Sequence, residues 1–367
     1  MRSHLGVMIR ADDAELRGDA AGALALMESK PIGPDGRAFW RPWRLRHLQQ
    51  LVDYRPHLPR WVTSRWILEQ AAQALPTQGR RTAVLEALDL TVDLRGGLHR
   101  LPGVDEVDAR CKVIDHDWVF RQTYLYELGA LTSFLTSAAS PDLLAGADRI
   151  VEWTQAPMTG LRLVHSAPKT VSWHDLGSGD HIDVPNIGCA ARLRPGDHVI
   201  GRVVPSDEGR MFETTPLPVS ERIAREVALQ PDDWIAALRR AMRGGGRTSV
   251  RTHGFDFAIA TDVSAEVWIG AVLGRDPASL EPEVALASIA RATLRLARQT
   301  TAGGNEPGGV DPWPCLGAAI LQPGVTAAVD GAMSAEDAET MGVLSARLAE
   351  PAARVCQVLS EDHRAAA

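Results

Sequence analysis

Residues 174–181 read HDLGSGDH, two histidines and two aspartates around a Gly-Ser-Gly centre. Imidazole and carboxylate relay protons near neutral pH and ligate divalent metals, so this is the most chemistry-bearing stretch in the chain. Suppose Asp175 pairs with Asp180 around the loop 176–179. Then Trp173 faces Ile182 and Val171 faces Val184 on one side of a hairpin, as a buried face requires. On the other side His174 faces His181, with Asp183 diagonal to them. Directly opposed residues hold their Cβ atoms about 5 Å apart, so His174, His181 and Asp183 are candidate ligands of an open metal site. The same residues also make a good turn: Asp and Gly supply its geometry, and histidine tolerates the wet face. The turn is the reading carried forward.

A second constellation spans residues 37–66, RAFWRPWRLRHLQQLVDYRPHLPRWVTSRW, with seven arginines and four tryptophans against one acid, Asp53. Such interleaving suits arginine–tryptophan packing between helices, a protein-binding surface, or phosphate contact with base stacking. The candidate recognition residues are Arg37, Trp40, Arg41, Trp43, Arg44, Arg46, Arg60, Trp61 and Arg65. For a recognition surface, at least one of Trp40, Trp43 and Trp61 should remain exposed, with the guanidinium groups at a rim and Leu45, Leu48, Leu51 and Ile67 in the seam of an antiparallel helix pair. Asp115-His116-Asp117 reads as a helix cap rather than a His–Asp catalytic pair. His253 and Asp256 read as residues near a turn. There is no GxxxxGK[ST], GxSxG, HExxH or strand-borne GxGxxG, and no cofactor is expected.

The elements that must position these residues change character along the chain. Residues 1–155 read as successive helices, at 13–28, 40–54, 58–75, 82–94, from Asp117 to about 137, and at 141–154. From 156 to 219 the sequence turns to short β-branched runs punctuated by Gly, Pro and Asp, five strands of a small antiparallel β-barrel or meander. Residues 220–367 return to helices around a hairpin at 249–263 and a Gly/Pro-rich loop at 300–314. The fold class is therefore α+β: a helical N-terminal half, a small β-module and a C-terminal α+β region.

The segment 171–205 resembles a β-segment of uncharacterised bacterial proteins, some of which carry a SEC-C metal motif. The likeness rests on Asp175–Gly179 (D-L-x-x-G), Leu193–Asp197 (L-x-P-G-D) and Gly201–Pro205 (G-R-V-V-P). It implies a β-module; the cysteine-rich motif is absent here, so no ligand is carried over.

Composition narrows the function classes. Of 39 basic residues only Lys30, Lys112 and Lys169 are lysine, which with abundant alanine marks a GC-rich bacterial genome rather than a phosphate-binding surface. The net charge of −7 also disfavours nucleic acid. No run of about 18 apolar residues and no signal-like start occur, so a cytoplasmic protein without a membrane partner is expected. The four cysteines are far apart, with no CxxC pair. The leading expectation is a non-enzymatic interaction or regulatory protein that holds another protein through its Arg/Trp-rich surface. A metal-dependent enzyme centred on residues 174–183 and a nucleic-acid binder using residues 37–66 are the alternatives.

Overall fold

The computed structural model describes residues 2–33, 36–73, 78–101, 103–243, 259–274, 282–303 and 309–366. The helix expected over 13–28 is two, α1 (Arg2–Leu16) and α2 (Ala20–Glu28). Gly18 at φ +77° breaks the chain between them, and Asp19 starts the second by accepting from the Gly22 N–H. Helices α3 (Pro42–Tyr54), α4 (Arg60–Gln73) and α5 (Gln78–Leu94) follow as the apolar spacing predicts. After α6 (Glu106–His116), Asp117 caps α7 (Trp118–Gln122) by accepting from the N–H groups of Val119 and Phe120.

The long helix expected through residue 137 is interrupted. Residues Thr123–Glu127 wind into a π-helical turn, Gly129 adopts φ +68°, and only then does α8 (Ala130–Ser137) begin. A π-turn spends its local distortion on re-aiming side chains; here it delivers Tyr126 and Glu127 to Arg202 of the sheet. The last expected helix of this half is also split, into α9 (Pro141–Gly146) and α10 (Ile150–Trp153), with Arg149 at φ 46° between them.

Six strands make the β-module: β1 (Met158–Ser166), β2 (Thr170–Asp175), β3 (His181–Pro185), β4 (His198–Ser206), β5 (Gly209–Phe212) and β6 (Leu217–Val219). All pairings are antiparallel, in the order β3-β2-β1-β4-β5, with β6 also on β4. The sheet curls into a nearly closed barrel. The hairpin has the expected register, Trp173 opposite Ile182 and His174 opposite His181, closed by the Asp175 N–H on the Asp180 carbonyl at 2.9 Å. Trp173, Ile182, Leu161, Leu163 and Val199 fill the barrel interior with Phe212.

The outer face of β1 and β4 is apolar as well, and α11 (Glu221–Leu229) and α12 (Trp234–Arg243) cover it. Ile223 and Val227 pack on Met158, Ile200 and Leu217. This close seat requires Gly160: a Cβ there would lie 1.8 Å from the Ala224 carbonyl oxygen.

Among the described residues beyond α12 the elements are helices: α13 (Ala265–Leu273), α14 (Pro282–Thr301), α15 (Pro312–Ile320), α16 (Val325–Asp330), α17 (Ala335–Arg347) and α18 (Ala352–Ala366). The hairpin expected at 249–263, with His253 and Asp256, falls mostly outside the described residues; Ile259–Val263 form no strand. The helices at both ends of the chain share one buried cluster. Within it the Gln50 side chain donates to the Leu321 carbonyl at 2.9 Å, and the Tyr54 hydroxyl lies 3.1 Å from the Ile320 and Gln322 carbonyl oxygens. Helix α3 therefore packs on α2 and the C-terminal helices, while α4 packs on α8 and α9; the two are not the antiparallel pair expected.

Candidate functional site

The Arg/Trp segment turns inward. Trp40, Trp43 and Trp61 are 5%, 8% and 2% exposed, so the expectation of an exposed tryptophan is overturned. The reason is that each indole has an internal role. Trp40 donates its N–H to the Met27 and Lys30 carbonyls at the end of α2. Trp43 lies against His47, and Trp61 lies under the Arg65 guanidinium.

The arginines follow the same logic. Arg44 reaches Glu15 and Asp12 on α1, and Glu15 accepts in turn from the Trp66 indole at 3.0 Å. Burial pushes the Glu15 carboxyl above its ordinary range, with Arg44 opposing. Arg41 pairs with Asp115 at the surface, and Arg60 donates to the Ala145 carbonyl at 3.0 Å, where α9 ends. Arg65, expected at a rim, is buried; it holds Asp262 at 3.1 Å and the Phe212 carbonyl at 2.9 Å. Burying a guanidinium is tolerable here because a carboxylate and a carbonyl are buried with it. Arg37 is exposed and Arg46 half-buried.

Arg65 belongs to a buried polar junction between the N-terminal helices and the barrel. Arg121 pairs with Glu69 at 2.6 Å, and Arg202 donates to Gln122 at 3.0 Å while its guanidinium covers the Tyr126 ring. Gln122 donates to Glu213, whose carboxyl is raised by desolvation against the pull of Arg121. Trp234 of α12 adds its N–H to Glu127 at 2.9 Å. This network ties three layers together, and its members come from chain positions too distant for sequence reading to have joined them.

On the hairpin, His174 and His181 are neighbours with ring centres 5.4 Å apart. Asp183 lies two pairs further along, accepting from the Ser172 hydroxyl opposite it. Among the described residues no three His, Cys, Asp or Glu side chains gather in a way that could hold a metal ion, the hairpin trio included. Cys189 is buried beneath the sheet, and burial holds its thiol well above the usual range.

An open cleft of about 430 Å³ runs beside α3. Leu24 and Glu28 of α2 and Leu45, Arg46 and Gln49 of α3 form one wall. Trp268 and Ile269 of α13, Leu286 and Ile289 of α14, and Val325 of α16 form the other. The floor is apolar, with Leu286 still 39% exposed, and Glu28, Arg46, Gln49 and Gln322 place polar groups around it. Comparison with protein-family models, curated proteins and solved structures finds no match to this chain.

Of the sequence-selected residues, Arg46 lines the cleft. Sequence reading missed the opposite wall because α13 and α16 were not expected as helices. The apolar spacing of α14 does show Leu286 and Ile289 on one face. Among the described residues no helix is long and apolar enough to cross a membrane.

Proposed function

We propose that the chain is a non-catalytic interaction protein that holds an apolar segment of another protein in the cleft beside α3. The observation that carries this reading is the cleft itself, a volume of about 430 Å³ over a largely apolar floor at the meeting of N- and C-terminal helices. Its volume lies in the range of ligand sites, about 300–1,000 Å³. Its open form suits the face of an amphipathic helix better than a small molecule, which a pocket normally encloses on most sides. Glu28, Arg46, Gln49 and Gln322 give the cleft a polar border around its apolar floor.

The recognition surface thus moves from the tryptophans to the neighbouring helix face. Base stacking needs an exposed aromatic face, and the covered tryptophans give the nucleic-acid alternative no such platform. The test is a selection of displayed peptides on the purified protein. The recovered sequences should carry apolar residues at i, i+3 or i+4, and i+7. They should lose binding to Leu286→Asp while that variant melts as the parent does. Peptides indifferent to Leu286→Asp, or no enrichment at all, would sink the reading.

A further inference from the structure

We infer that Glu213 is a proton-operated latch between the N-terminal helices and the barrel, closed while its carboxyl carries a proton and loosened when it ionises. The charges of the buried junction pair off without it. Arg65 of α4 holds Asp262 at 3.1 Å, Arg121 of α7 holds Glu69 at 2.6 Å, and Arg202 of β4 holds Glu127. Each guanidinium thus has a carboxylate of its own, and Glu213 is the fourth carboxyl for three cations. It is only 1% exposed, and its backbone N–H donates to the Arg202 carbonyl at 3.1 Å, which fixes the residue inside the junction where β5 ends.

The groups that meet the Glu213 carboxyl are neutral. One oxygen accepts from the Gln122 amide, and the other, Oε2, is buried without a hydrogen-bond partner among the described residues. The Tyr126 hydroxyl faces the same carboxyl and is also buried and unpartnered among the described residues; burial holds it well above its ordinary value, so it keeps its proton. Ionised, Glu213 leaves Oε2 as a bare buried anion, far costlier than a neutral group. Protonated, Oε2 becomes a donor with the Tyr126 oxygen available to accept. Burial accordingly raises the Glu213 carboxyl, against the pull of Arg121 first and of Gln122, Arg65 and Arg202 after it. Asp262 is raised by burial too, but Arg65 is its direct partner, and the Cys189 thiol near it stays protonated.

A folded value above the unfolded one means that the proton on Glu213 favours the folded chain. Its contribution is whole below the unfolded value and is lost as pH rises through the raised one. Across that window the folding constant falls by up to about tenfold per pH unit. The experiment is infrared difference spectroscopy of the full chain, parent minus Glu213→Gln, from about pH 4 to about pH 9. Urea unfolding and amide hydrogen exchange of both proteins are followed at the same pH values, and the other titrating groups cancel in the comparison.

At one pH unit above the ordinary glutamate value of about 4.3, an unshifted carboxyl is only about one-tenth protonated. Glu213 should show several times that share of its carboxylic-acid carbonyl band there, fading at higher pH. As the band fades, the folding constant of the parent should fall relative to Glu213→Gln. Exchange protection at residues 118–127 and 198–206, normalised for the intrinsic rate, should fall with it in the parent alone. A band no larger than the unshifted share, a parent that gains on Glu213→Gln as pH rises, or protection that stays level while the band fades would each overturn the latch. Glutamine keeps the size of a neutral carboxyl, an acceptor for Gln122 and a donor toward Tyr126, so a Glu213→Gln chain that does not fold overturns it as well.

Discussion

Reversing the charge of Arg44 separates an inward-facing arginine from a surface one. Its side chain is 16% exposed and Glu15 only 5%. The Arg44 Nε donates to Glu15 at 2.7 Å, and the other oxygen of that carboxylate takes the Trp66 N–H at 3.0 Å. Arg44→Glu leaves a buried carboxylate without its cation and adds a second negative charge beside it. Removing one partner of a buried pair costs about 3–5 kcal/mol; the partial exposure of Arg44 places this case near about 3 kcal/mol. At about 2 °C per kcal/mol for a chain this long, the melting temperature should fall by about 6 °C. Arg41→Glu is the control: that side chain is 48% exposed, and its pair with Asp115 is worth about 1 kcal/mol at most.

Removing the Arg44 charge also changes how stability depends on pH. Burial raises the Glu15 carboxyl above its unfolded value, so the folded state binds a proton more readily than the unfolded state. Stability therefore falls as pH rises through the raised value, and without Arg44 that value climbs further. Arg44→Met should accordingly regain stability as pH is lowered from neutral, more steeply than the parent. Adding Glu15→Gln removes the stranded charge while keeping an acceptor for Trp66, and should restore most of the loss. The assay is thermal unfolding followed by circular dichroism across pH. An Arg44→Glu protein that melts like Arg41→Glu would refute the inward network and return these arginines to the surface.

Two further outcomes follow from the packing. Gly160→Ala must push α11 away from β1, because its Cβ would meet the Ala224 carbonyl oxygen at 1.8 Å; urea unfolding should show a loss of about 3 kcal/mol. Gly179→Ala in the hairpin turn has open space around it and a φ of +81°, so it should lose only about 1 kcal/mol, and the reverse order would refute the seat of α11. For the thiols, Cys111 is exposed while Cys189, Cys315 and Cys356 are buried, the last two pushed up to about 12 by burial. A disulfide-exchange reagent should titrate one thiol in the native chain and four in denaturant; additional fast thiols in the native chain would mean that this core is open.

Local physics made part of this protein legible from its sequence. The hairpin register at 171–185 was readable because period-2 alternation and an Asp-Gly turn leave one pairing that buries Trp173 with Ile182. The capping role of Asp117 and the α+β order were readable for the same reason, since each depends on neighbours within a few residues. Helix breaks were not readable: Gly18, Arg149 and the π-turn at Thr123–Glu127 interrupt apolar patterns that continue across them. The direction of the Arg/Trp segment was decided only by tertiary structure. Arg65 could be buried because Asp262, 197 residues along the chain, arrives beside it, and Arg44 because Glu15 comes over from α1. Composition reports that a side chain is charged and aromatic faces are abundant; it does not report which carboxylate or carbonyl will meet them. A guanidinium enters the interior only when its partner enters too, and that pairing is a property of the packed fold. The cleft beside α3 has the same origin, for neither of its walls is apolar enough alone to mark a site until α13 and α14 stand across from it.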